Sequence, residues 1–152
     1  MDTSKITSME KIASFAILVA VYNGSEYLKR SLDSLLQQTL KDIQVICIDD
    51  GSTDNSWEIL QSYAAMDRRI ELLHLSQNYG AAHARNEGIR HINARYTTFL
   101  DCDDTFAPDA LEQALQVFDK HPQVDCVLFK LLTLGEGNST AQEYACLLYT
   151  SP

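Results

Sequence analysis

The chain has 152 residues, 45% apolar and 22% charged, which excludes collagen-like, coiled-coil and wholly disordered chains. That length allows one domain with a real core and little more. Its 12 basic and 21 acidic side chains give a net charge of −9, a poor balance for gripping nucleic acid through phosphates. In chain order, residues 1–11 are polar and read as a flexible tail. Phe15 to Val21 is a continuous apolar run, as in a strand covered on both faces. Tyr22-Asn23-Gly24-Ser25 breaks it. Leu28, Leu32, Leu35 and Leu36 then recur at helical spacing, predicting a helix near 25–38. Ile43 to Ile48 reads as the second strand and ends on the turn cluster Asp49-Asp50-Gly51-Ser52. Asn55 with Glu58 resembles a capping box, opening a helix with Trp57, Leu60 and Ala64 on one face.

Ile70 to Leu75 reads as a short third strand, and Asn78 as the cap of a helix reaching about His91. Tyr96 to Leu100 is the fourth strand and ends on Asp101-Cys102-Asp103-Asp104. Pro108 suits a first helical turn, with Leu111, Ala114, Leu115 and Phe118 facing inward. Val124 to Leu132 reads as a fifth strand. Such alternation predicts an α/β fold, a mainly parallel sheet with helices on both faces. The domain is expected over 12–134, followed by a loop-like segment, 135–152, that reads as a truncated end. The Asn138-Ser139-Thr140 sequon there is read as chance.

No apolar run approaches the ~18 residues of a membrane span. Ile12 to Val21 is too short for a signal peptide and passes directly into a loop signal. Cys47, Cys102, Cys126 and Cys146 form no CxxC pair, which weakens zinc and thioredoxin-like readings. Cys47 and Cys126 sit in apolar runs and read as small core residues, a usage suited to a reducing compartment.

In open parallel sheets, ligands bind beyond the carboxyl ends of the strands. Three polar clusters fall at those ends: Tyr22-Asn23, Asp49 to Ser52, and Asp101 to Asp104. Tyr22 offers a flat face for a nucleobase. Asp50 can accept a base N–H, which favours an imide edge such as that of uracil. Asp103 suits a hard divalent cation, which would bridge a diphosphate. Asp101 or Asp104 can hold the ribose, a metal-bound water or a second ligand position. Arg85 offers a fixed cationic fork near nucleotide or phosphate. Gly80 and Gly88 permit close packing or close approach of a ligand. His83 and Trp57 read as structural.

As an ordered set these pieces resemble the family-2 glycosyltransferases with the GT-A fold. The matching stretches are Leu18 to Asn23, Val45 to Asp54, Asn78 to Gly88 and Phe99 to Asp104, in order across roughly residues 14–132. One departure is Ala20, where the family's first strand commonly carries proline. The resemblance implies a Rossmann-like nucleotide-binding half. It implies inverting transfer of a hexosyl or N-acetylhexosaminyl group from a nucleotide-sugar, usually a UDP-sugar, with Mn²⁺ or Mg²⁺. Tyr22, Asn23, Asp50, Arg85 and Asp101 would hold the nucleotide, Gly80 and Asp104 would lie near sugar or phosphate, and Asp103 would take the metal. The acceptor would be a saccharide, a lipid-linked sugar or a protein, in bacterial cell-surface polysaccharide assembly. The expected place is the cytoplasm, with peripheral association at the inner face of the membrane and no nucleic-acid partner.

The family's general base, an Asp or Glu on a later segment, is expected beyond Pro152; Glu136 and Glu143 are unconvincing substitutes. A binding fragment without catalysis is therefore the alternative. A second alternative comes from Asp101 to Thr105, which also match the DxDxT motif of haloacid-dehalogenase phosphatases. There the motif opens the chain, whereas here too few residues follow it.

Overall fold

The computed structural model describes residues 12–128 and the backbone of the strand Leu147–Tyr149. The two most apolar runs become the two central strands, because a strand flanked on both sides and covered on both faces has no position left for water. These are β1 (Ala13–Val21) and β2 (Ile43–Asp49), the latter buried along its whole length. β3 (Ile70–His74) and β4 (Ala94–Phe99) take the edges, in the order β3-β2-β1-β4, and all pairs are parallel. Along β4, exposure alternates residue by residue.

Alternation along β1 divides the core. Phe15, Ile17, Val19 and Val21 face α1 (Leu28–Leu36), α2 (Ser56–Met66) and α4 (Ala110–Lys120), with Leu28, Leu32, Leu60 and Leu111 fully buried between them. Each such leucine contributes roughly 1.5–3 kcal/mol by leaving water. Ala16 and Leu18 face the other way, with Ile46 and Ile48, against Ala84 of α3 (Ala81–Ile89). Helices thus cover both faces, as the alternation of segments predicts. Close approach of α3 requires Gly88: a Cβ there would lie 2.7 Å from side-chain carbons of both Leu18 and Ile48.

Register brings the carboxyl ends together. Val21 pairs with Asp49, and Asp49 pairs with His74. β4 ends level with Leu18, so Leu100 and Asp101 run on beside the end of β1.

Several expectations need correction. Val124 to Leu132 does not add a fifth parallel strand within the described residues. Its strand is β5 (Cys126–Leu128), which pairs antiparallel with β6 (Leu147–Tyr149) in a separate two-stranded sheet. Only Val124 is buried there, while Cys126 and Leu128 are exposed, so the run lacks the two-sided cover of a central strand. Cys126 is accordingly not a core residue, whereas Cys47 is, and burial pushes its thiol up to about 12. β6 lies inside the segment expected to be loop-like. Asn55 makes no capping bond; Asp54 instead accepts the Ser56 amide at 3.0 Å. α3 begins at Ala81 rather than at Asn78, whose side chain accepts the Gly80 amide at 2.8 Å. Trp57 is only partly buried, and Tyr63 takes the inward place on α2. The tail, 1–11, and the sequon at 138–140 lie outside the described residues.

Candidate functional site

Four loops leave the carboxyl ends of β1 to β4, and hydrogen bonds across long sequence separations tie them to one another. The first two are stapled together. Asn23, at φ 49°, donates its amide to Ser52 Oγ at 3.0 Å. Its side-chain oxygen accepts the amides of Thr53 at 2.8 Å and Asp54 at 3.3 Å. Gly24 donates to Ser56 Oγ at 2.9 Å, and Ser25 to Asp54 Oδ2 at 3.0 Å. Burial pulls the Asp54 carboxyl upward, but the hydrogen bonds from Ser56 and Ser25 outweigh it and hold the group down at about 2.

The second and third loops meet backbone to backbone. The Asp50 carboxylate, only 2% exposed, accepts the Tyr79 amide at 2.9 Å and the Gly80 amide at 2.8 Å. A Cβ at Gly51, where φ is +70°, would lie 2.5 Å from the carbonyl carbon of Gln77. Asp49 is fully buried; its Oδ2 faces His74 Nδ1 at 2.9 Å, and the His74 ring packs on Trp57 with centroids 4.4 Å apart.

The fourth loop carries the acids. Asp101 binds Arg85 through Oδ1, and the Arg85 guanidinium also lies 6.0 Å from the Phe99 ring. Asp103 and Asp104 are exposed, and among the described residues nothing hydrogen-bonds to their carboxylates. Cys102, between Asp101 and Asp103, turns inward. Burial and the Asp103 and Asp101 charges push its thiol up, and its Sγ would lie 2.8 Å from a Cβ at Gly24. Tyr22 stays about half exposed, as does Tyr79, whose ring sits 4.8 Å from that of His83. Gly80, at φ +92°, has open space where a side chain would be.

Each sequence-selected residue therefore sits on one of the four loops or on the first turns of α3. They divide in kind. Asn23 and Asp50 spend their polar atoms on neighbouring loops, Arg85 and Asp101 neutralise each other, and Tyr22, Asp103 and Asp104 present free faces. Sequence reading missed Gln38, which is fully buried and anchors the stretch after the acids. Its Nε2 donates to Ala107 O at 2.6 Å, and its Oε1 accepts the Leu111 amide at 3.2 Å. No local signal marks it, because Gln37 beside it is equally polar and exposed.

Residues 16–142 match the family model for glycosyl transferase family 2. The chain belongs to that family. As a family-2 chain it is 41% identical over 101 residues to a putative glycosyltransferase, EpsH, of Bacillus subtilis, an alignment covering 66% of this chain and 29% of EpsH. Its fold is similar to that of Staphylococcus aureus TarS 1–349 in complex with UDP, with TM-score 0.73 and 26% identity over 85% of this chain and 38% of that one. A mannosyltransferase of Pyrobaculum calidifontis, in complex with GDP-Man and Mn²⁺, shares the fold at TM-score 0.66 and 22% identity, over 76% of this chain and 34% of that one. The chain thus spans well under half the length of these relatives. The sheet has the GT-A-like α/β arrangement, and the acidic loop follows β4, one of its two edge strands. Among the described residues, no helix is long and apolar enough to cross a membrane.

Proposed function

We propose that this chain forms the donor half of a glycosyltransferase that moves a sugar from a nucleotide-sugar to an acceptor hydroxyl with inversion. The supporting observation is the convergence of an exposed aromatic face, an arginine and an acidic loop beyond the carboxyl ends of the strands. Tyr22 would stack the base, and Asp50, using lone pairs left over from Tyr79 and Gly80, would read its N–H edge. A UDP-sugar is the favoured donor, in keeping with the UDP complex of TarS. Arg85 would turn from Asp101 toward the diphosphate, leaving Asp101 for the ribose. A hexose or N-acetylhexosamine is the proposed sugar.

The donor set of the acidic loop fits a divalent cation such as Mn²⁺ or Mg²⁺. Asp103 and Asp104 supply hard oxygens that no described residue engages. No three acidic, His or Cys groups among the described residues gather closely enough to hold a metal alone. Such a site is completed by substrate phosphates and water, as Mg²⁺ sites commonly are. When bound, the cation would supply positive charge to the departing diphosphate. The base that takes the acceptor proton is proposed to lie outside the four loops.

The test is a melting curve. A ligand bound only by the folded chain raises Tm by mass action. UDP with Mn²⁺ is expected to do so, and more than UDP alone. Absence of any shift with UDP, GDP or dTDP at millimolar concentration would overturn the reading.

A further inference from the structure

One side of α1, with the residues just past its end, lies along the acidic loop. Arg30 and Ser34 stand four residues apart on one face of the helix, and Gln38 follows in the turn just after its end. Each bonds to the loop in the order in which it passes. Arg30 Nη2 donates to the Asp103 carbonyl at 3.0 Å. Ser34 Oγ accepts the Phe106 amide at 3.2 Å, and Gln38 takes Ala107 and Leu111. A cleft of about 460 Å³ opens beside this contact, lined by Arg30, Asp33, Gln37, Thr105 and Phe106. Three of these four bonds lie beyond the acids. The Arg30 bond alone falls on a residue whose carboxylate is free.

We propose that Arg30 is a positioning residue for the Asp103 carboxylate, fixing the main chain from which that side chain reaches a divalent cation. The proposal rests on the donor-site reading above. Two effects of Arg30 oppose each other. Its charge repels a cation nearby, while its hydrogen bond removes freedom that cation binding would otherwise have to freeze. The bond is the effect assigned here. It predicts that loss of Arg30 weakens the cation, where the charge alone predicts that loss tightens it.

The experiment uses the whole chain with Mn²⁺ and UDP, and reads free Mn²⁺ by its electron paramagnetic resonance signal. Arg30→Met is expected to weaken Mn²⁺ about fivefold, the net size of an ordinary hydrogen bond. Arg30→Lys, which keeps a donor on a shorter reach, is expected to recover part of the loss. The melting temperature without ligand is expected to move by no more than about 2 °C, because Arg30 is exposed. Equal or tighter Mn²⁺ binding by Arg30→Met, with the wild type binding normally, overturns the proposal. Should that variant fail to fold, equal binding by both Arg30→Lys and Arg30→Gln overturns it instead. No binding by the wild type overturns the donor-site reading itself, which is a separate result.

Discussion

The two sides of the candidate site are built on opposite plans. Around Asp50 and Asn23, nearly every polar atom is already used within the protein: two amides on the Asp50 carboxylate, two on the Asn23 oxygen, three on the serine hydroxyls and carboxylate that face them. Around Asp103 and Asp104, carboxylates stand in water with their lone pairs free. The first plan gives rigidity before any ligand arrives. The second stores like-charge repulsion that only a cation relieves. A substitution on the first side should therefore cost folding energy, and one on the second side should cost ligand.

The sharpest way to break that contrast is Gly51→Ala. It forces a Cβ into the Gln77 backbone at a φ that L residues resist, so about 3 kcal/mol should be lost in urea unfolding. A loss under a third of that would mean the two loops are not locked. Asp50→Asn comes next. One carboxylate oxygen becomes an NH₂ facing an N–H, and about 2 kcal/mol should go. Stability unchanged in that variant would remove Asp50 from its clamping role.

A smaller effect is a matter of pH. The folded Asp54 carboxyl sits at about 2, below its unfolded value, so its contribution is complete above about pH 4 and drains away as pH falls toward 2. Asp54→Asn should flatten that part of the stability curve relative to the wild type. Parallel curves would show that its hydrogen bonds do not persist. The smallest expected change in stability is in Asp103→Ala, where Tm without ligand should hold or rise slightly. Its metal-dependent response to UDP should vanish. A normal response would take Asp103 out of metal binding.

The same contrast explains what could be read in advance. Runs such as Ile43 to Ile48 and the acids after β4 are local signals, and they placed the central strands and the loops correctly. What could not be read is who bonds to whom. Gln38 meets Ala107 across 69 residues and Asn23 meets Thr53 across 30, with no periodicity to announce either. Asn23 and Asp50 therefore look like free ligands in the sequence, although the Asn23 oxygen holds two amides and each Asp50 oxygen already accepts one. β5 misled for a related reason: apolarity does not say which partner, or which direction of pairing, a short strand will take.

Gly88 has one more consequence. α3 rests on Leu18 and Ile48 because residue 88 carries no side chain, and Arg85 leaves the same helix one turn earlier to reach Asp101. The height of the helix above the sheet is therefore also the setting of a lever. A single methyl group at position 88 would lift the helix and draw the guanidinium back from the acidic loop, so a packing detail on the apolar side of the sheet calibrates where a positive charge stands at its polar edge.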